Sequence, residues 1–309
     1  MNQPAPPPDP TSPAEPVPTS GRKMAPWVEV LHPITWFPPM WAFGCGVVSS
    51  GVPDWGRWYV IPLGILLAGP LLCGTSQVVN DWYDRHVDAI NEPDRPIPSG
   101  RLPGKTGFYQ ALLWSALSLL VAWMLGPWVL AASALGLGLA WIYSAPPLRL
   151  KGNGWYGNAA VGIAYEGLPW FTGAAAMAGG FPHWEVVVLA LLYSAGCHGI
   201  MTLNDFKSVE GDTHTGLRSL PVQLGVEKAA RLACAVMAAP QVVVIALLLI
   251  WGHTLAAGLV TLVLGLQALA MLRWMERPRE LAPWYNQTGV TLYVSGMMIS
   301  AVAIMPAAG

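Results

Sequence analysis

Charge is scarce in this chain: 11% of its 309 residues are Asp, Glu, Lys or Arg, against the roughly 25% that an ordinary soluble domain carries. With 54% of the residues apolar, that scarcity argues against a soluble enzyme. The 16 basic and 17 acidic residues nearly cancel, to a net charge of -1, which leaves no global electrostatic basis for nucleic-acid binding. Cysteine is sparse as well. Cys45, Cys73, Cys197 and Cys234 stand in apolar surroundings without CxxC or metal-ligand spacing, so neither a disulfide framework nor a zinc site is expected. Glycine pairs such as Gly44/Gly46 and Gly136/Gly138 follow no strand pattern and read as close helix packing rather than nucleotide loops.

What the chain does have is long uncharged runs. Between Lys105 and Arg149, 43 residues pass without a charged side chain, enough for two membrane crossings of about 20 residues each, with Gly126-Pro127 as the turn. The same reading over residues 30–53, 58–80, 155–178, 186–203, 233–273 and 287–304 predicts an all-α integral membrane protein of nine spans, with its termini on opposite sides. Sorting the loops by side puts fifteen of the sixteen Lys and Arg residues on one face and Arg57 alone on the other. Basic residues are retained in the cytoplasm, so the N-terminus is expected there and the C-terminus opposite. Residues 1–26 read as a disordered proline-rich tail without a signal peptide, and residues 27–309 as the transmembrane domain. Many tryptophans, among them Trp27, Trp58, Trp155 and Trp284, fall near span ends, where indole anchors at the headgroups.

The second and sixth spans end in related motifs. Asn80-Asp81 is followed by Asp88, and Asn204-Asp205 by Asp212, both in the pattern N-D-x6-D. Downstream, Arg95-Pro96-Ile97-Pro98 answers Arg218-Ser219-Leu220-Pro221. Spans two and six are four crossings apart, so the copies form a parallel four-helix repeat, and both acidic sites open to one face. If the helix runs past Asn80, then Asp81, Asp84 and Asp88 share a stripe. Hard oxygen ligands on two facing helices suit Mg2+ held partly by substrate phosphates. Asp81, Asp84, Asp88, Asp205, Glu210 and Asp212 are the candidate metal ligands. Arg85, Arg95, Arg149, Lys151, Lys207 and Arg218 are placed to meet phosphate oxygens. The combination predicts a trap for a diphosphate whose organic part is lipid-soluble, with the tail housed among the helices.

The blocks NDWYDRHVDAINEPDRPIPSGR (80–101), YSAPPLRLK (143–151) and NDFKSVEGD (204–212) resemble the UbiA superfamily of intramembrane prenyltransferases. Together with YEGLPWFTGA (165–174) and APWYNQTGVTLYV (282–294), they most resemble its chlorophyll and bacteriochlorophyll synthase branch. The resemblance covers the chain from about Trp27 onward. It implies nine helices around a central cavity open to the cytoplasmic side, Mg2+ as cofactor, and a bacterial photosynthetic inner membrane as location. It also implies transfer of a geranylgeranyl or phytyl group from its diphosphate to the propionate of bacteriochlorophyllide. Asn80, Asp84 and Asp88 match the first motif and Asp212 closes the second. Where quinone-forming relatives carry a further aspartate, this chain has Ser208, which leaves Asp205 or Glu210 to take over. Asn204 accompanies Asp205, and Tyr143 and Lys151 match a family loop segment at a longer spacing than the family's, which implies diphosphate binding or cation stabilisation, with interfacial anchoring as the alternative for Tyr143. A carboxylate acceptor already arrives as the nucleophile and needs no general base.

Two residues within the spans stand out. Glu166 interrupts an otherwise uncharged span, a costly placement that predicts a cavity-facing role, with a structural helix contact as the alternative. His198, flanked by glycine and cysteine, is positioned either to ligate a chlorin magnesium or to pack between helices. Other acceptors of the same chemistry (chlorophyllide, haem or a quinone ring), a non-catalytic pigment-binding assembly protein and a transporter are the competing readings. The transporter is disfavoured by a parallel repeat with its acids at one surface. Pigment-protein assembly partners are expected for a reactive product.

Overall fold

A computed structural model describes residues 24–51 and 55–305, and the expected proline-rich tail up to residue 23 lies outside the described residues. The described residues are helical almost throughout, and their single β-type contact is an isolated bridge between Asn153 and Arg218. A one-turn helix α1 (Pro26–Glu29) and a 3-10 turn at Pro33–Thr35 precede α2 (Phe37–Ser49). The expected continuous span over residues 30–53 is thus interrupted. Pro33 opens the 3-10 turn and Pro38 sits in the first turn of α2, where a ring without an N–H fits the start of a helix but not its interior. The 13 residues of α2 span about 20 Å.

Helix α3 (Val60–Leu66) passes through a π-helical stretch, Leu67–Cys73, into α4 (Gly74–Asn91) without a break. α5 (Thr106–Leu125) and α6 (Pro127–Ser144) form the predicted hairpin. Its turn rests on Gly126 at φ +129°, a conformation open to glycine and costly for other residues. α7 (Gly154–Gly162), a second π-helical stretch at Ile163–Gly167 and α8 (Leu168–Ala178) make another continuous rod. α9 (Trp184–Asp205) is followed by the short α10 (Val209–Thr215) and α11 (Leu220–Leu224). The long α12 (Val226–Ile250), α13 (Thr254–Glu276) and α14 (Pro278–Ala303) complete the chain.

Among the described residues, six helices are long and apolar enough to cross a membrane: Val60–Asn91, Thr106–Leu125, Pro127–Ser144, Trp184–Asp205, Val226–Ile250 and Thr254–Glu276. Their outward faces carry Trp123, Leu191, Leu255 and Leu269, each more than half exposed, a surface suited to lipid rather than water. Helix contacts inside the bundle rely on small residues and buried amides, as expected where lipid supplies no hydrophobic drive. A Cβ on Gly46 would lie 2.1 Å from the Trp170 carbonyl oxygen, and one on Gly173 2.2 Å from that of Phe43, so α2 and α8 meet backbone to backbone. Gly136, by contrast, lines a cavity, and Gly44 and Gly138 have no neighbour within 4 Å of an added Cβ; the packing role predicted for the two pairs holds at Gly46. Gln241 on α12 donates to Gln267 on α13 at 2.8 Å, and Gln267 to the Tyr285 hydroxyl on α14 at 3.1 Å.

Side-chain contacts sort the loops into two ends. Trp128 packs on Phe181 at 4.9 Å and Trp184 on Trp251 at 5.4 Å, and the Arg57 guanidinium lies over Gly179. The opposite end gathers the Asp84–Arg149 and Glu210–Arg279 pairs and the Arg101–Glu29 clamp. These are the two groups of loops that the distribution of basic residues separates.

Candidate active site

The helix carrying the first motif does continue past Asn80, to Asn91, so Asn80, Asp81, Asp84 and Asp88 ride on one rigid rod. The second motif is built differently: α9 ends at Asp205, and Asp212 stands on the separate α10. Asp84 and Asp205 both lie within electrostatic reach of the Tyr143 hydroxyl, and Asp212 within that of Asp205. The two motifs therefore converge around Tyr143 at the end of α6.

Below them opens a cavity of about 630 Å³. Asn80, Tyr143 and Asn204 line it at the motif end, while Ala140, Leu139 and Leu168 belong to its apolar wall. Both π-helical stretches contribute to the lining, through Ala68, Leu72 and Cys73 on one side and Ala164, Tyr165 and Glu166 on the other. A π-bulge turns side chains out of the regular helical register and often marks a functional site. The Tyr165 hydroxyl ties the two stretches together: it accepts from Gln77 Nε2 at 2.9 Å and lies 3.3 Å from Cys73 Sγ and from Ser76 Oγ.

Most of the acids are held by the chain's own cations. Lys151 and Arg149 both reach Asp84. Arg95 Nη1 bridges Asp81 and Asp88 at 3.1 Å each, while its Nε holds Glu92 at 2.6 Å. Arg279 pairs with Glu210 at 2.6 Å, and Ser208 donates to Asp212 at 3.0 Å. Asp81, 1% exposed, also meets His32 Nε2 at 2.9 Å. Both of its oxygens are engaged, it is not part of the cavity lining, and it joins the N-terminal segment to α4. Asp205 is the contrast: its Oδ2 is buried without a hydrogen-bond partner. Among the described residues no three His, Cys, Asp or Glu side chains come together closely enough to hold a metal. The chemistry of the donors nevertheless suits a hard cation, with an orphaned carboxylate oxygen at Asp205 and the Asp84 carboxylate near the same Tyr143 hydroxyl.

The loops also set the charge states. Burial pushes the Lys151 ammonium below its ordinary value, and the Asp84 carboxylate only partly offsets this. For Arg95 burial opposes the charge, but Asp81, Glu92 and Asp88 together outweigh it and hold the guanidinium above its ordinary value. Arg218 keeps its place through backbone, its N–H donating to Gly152 O at 3.1 Å and its carbonyl accepting from Gly154 N at 2.8 Å. Arg85 stacks over Trp82, 4.4 Å from the ring centroid, and Lys207 is exposed. His198 is not among the cavity-lining residues; its ring sits 5.8 Å from that of Trp155. Glu166 does line the cavity, at 3% exposure, and its Oε2 has no hydrogen-bond partner.

Several contributors are not among the residues singled out from sequence. Gln77 precedes Asn80 by three residues on the same helical stripe, a spacing that marks it in retrospect. Asn286, which lines the cavity from α14, begins the polar triplet Asn286-Gln287-Thr288 inside a long helix. His32 carries no such signal, because its partner comes from a distant segment; Tyr165 falls in the 165–174 block, but its contacts to Gln77 and Cys73 could not be read from it.

The sequence profile described as the UbiA prenyltransferase family matches residues 35–296. The bacteriochlorophyll synthase 33 kDa chain of Cereibacter sphaeroides is 57% identical over 90% of this chain and 92% of its own length. The chloroplastic chlorophyll synthase of Arabidopsis thaliana is 38% identical over 89% of this chain and 73% of its own. Among solved structures, one of digeranylgeranylglyceryl phosphate synthase superposes with a TM-score of 0.71 at 19% identity, covering 90% of this chain and 98% of that one. A UbiA homologue from Archaeoglobus fulgidus, bound to GPP and Mg2+, superposes with a TM-score of 0.69 at 16% identity, covering 90% and 99%. Fold, motifs and these matches agree: the chain belongs to the UbiA prenyltransferase family.

Proposed function

We propose that this chain transfers a geranylgeranyl or phytyl group from its diphosphate to the propionate carboxylate of bacteriochlorophyllide, giving the esterified pigment. The observation that carries the reading is the shape of the site: a cavity with polar side chains at its mouth and an apolar wall, opening beside two carboxylate motifs flanked by cations. The 57% identity to a bacteriochlorophyll synthase chain supports the choice of acceptor.

The diphosphate belongs at the mouth. Lys151, Arg149 and Arg95, now on carboxylates, have the charge to follow the phosphate oxygens. Asn80, Tyr143 and Asn204 orient the substrate between the motifs. Mg2+ fits Asp84, Asp88, Asp205 and Asp212, with Glu210 at the edge of the set, and when bound it offsets the charge gathering on the leaving diphosphate. Asp81 supports this arrangement by fixing Arg95 and His32. The apolar wall keeps water from the allylic carbon while the propionate attacks it. The bond broken is carbon to diphosphate oxygen, and the bond formed is carbon to carboxylate oxygen. No proton has to be removed from a carboxylate acceptor.

We place the chain in the bacterial photosynthetic membrane with nine crossings. Residues 37–49, 154–178 and 278–303 supply the three beyond the six long apolar helices. The parallel repeat then puts both motifs on the cytoplasmic face, where the retention of basic residues sets the orientation.

The test is chromatographic detection of product from purified chain, geranylgeranyl diphosphate and Mg2+, offered bacteriochlorophyllide, chlorophyllide, haem or a quinone-ring acid in turn. Bacteriochlorophyllide ester is expected to form fastest. Preferential prenylation of a quinone ring, or pigment binding without ester formation, would overturn the reading.

A further inference from the structure

Glu166 presents a buried oxygen without a partner to the cavity, and its depth indicates what should meet it. Asn158 on α7 bonds Thr202 on α9 at 3.2 Å, which sets those residues level with each other, just below Asn204. Eight residues further along the same rod, Glu166 lies about 12 Å deeper. A second tie agrees: Gly167 abuts the Ser194 hydroxyl, and Ser194 precedes Asn204 by ten residues, about 15 Å of helix. The carbon that reacts is bonded to the diphosphate at the mouth, so Glu166 is too deep to act on it.

Two things reach that depth in a loaded enzyme. A prenyl tail is hydrocarbon and would leave the carboxyl unpaired and desolvated, a penalty that weakens binding. A tetrapyrrole that hangs its propionate at the diphosphate end brings polar atoms, ring carbonyls or its central metal, to the same level at its far edge. We infer that Glu166 is the positioning residue for the acceptor macrocycle, a polar anchor in an apolar chamber that fixes the ring so that its propionate meets the allylic carbon. The inference rests on the proposed function and adds to it which substrate occupies the inner cavity.

The experiment uses purified full-length chain and bacteriochlorophyllide, with binding followed by pigment absorbance in the absence of prenyl diphosphate, and KM for both substrates measured separately. Glu166→Leu is expected to raise the pigment Kd and KM about tenfold while the KM for geranylgeranyl diphosphate stays within about twofold, as removal of a buried polar contact to one substrate should do. Glu166→Gln, which keeps a polar group in place, is expected to retain most of the affinity and to shift the longest-wavelength absorption band of the bound pigment. If the leucine variant does not fold, that band shift decides alone. Unchanged pigment affinity in the leucine variant, a rise in prenyl diphosphate KM instead, or an unshifted band in the glutamine variant overturns the inference. A wild-type chain that neither binds nor esterifies the pigment would instead overturn the proposed function.

Discussion

Two aspartates that occupy the same position in the repeated motifs have different surroundings, which predicts different roles. Asp81 is enclosed by Arg95 and His32, whereas Asp205 keeps a buried oxygen unpaired. Removing one partner of a buried ion pair strands the other charge, so Asp81→Asn is expected to lower stability by about 2–3 kcal/mol, with Arg95 partly solvated; thermal unfolding in detergent measures it. Asp205→Asn should leave unfolding nearly unchanged and reduce kcat by about 100-fold or more, the scale seen when one electrostatic stabiliser of a leaving charge is removed. Equal losses of stability in the two variants would contradict the division. Lys151 gives a pH signature. The proposed phosphate contact needs its charged form, and burial lowers its pKa, so the charge is lost at a lower pH than an ordinary lysine would lose it. kcat/KM for the prenyl diphosphate should therefore fall on the alkaline side in wild type, and Lys151→Arg, which stays charged, should move that fall upward.

Helical elements were legible where composition alone decides them. The uncharged run from 106 to 148 contains both helices of the hairpin and its glycine turn, because an apolar segment without water must satisfy its own backbone as helix. Residues 30–53 were less legible: prolines divide the segment into one-turn pieces before α2, and their effect on a span depends on what packs against them. Of the two π-helical stretches, the first contains Pro70, whose missing N–H is a local signal for an irregular turn, while the second is tied to it by the contacts of Tyr165 and had no such signal. In the candidate site the stripe on α4 followed from helical spacing. The engagement of Asp81 with His32, 49 residues away, could not follow from it. The backbone contact of α2 with α8 makes its own prediction: Gly46→Val forces a side chain into the Trp170 carbonyl and should cost about 1–3 kcal/mol, with loss of monodisperse protein in gel filtration.

For the molecule as a whole, the proposed nine crossings would put an odd number between Lys105 and the C-terminal end. Single cysteines placed at Lys105 and Met305 should therefore label with an impermeant thiol reagent from opposite sides of a sealed vesicle, the first from the cytoplasmic side. Labelling from one side would leave an even number of crossings and contradict the nine spans. The proposed function requires the two carboxylate motifs and the cavity between them to act as one site for Mg2+-dependent transfer of a prenyl group to a pigment carboxylate. Its most direct test is transfer of radiolabel from geranylgeranyl diphosphate into bacteriochlorophyllide ester by the purified chain, with Mg2+, with chelator, and in Asp88→Ala and Asp205→Asn. Label is expected in the ester with Mg2+ and almost none in the other three. Ester formation that persists with chelator or in both variants would contradict it.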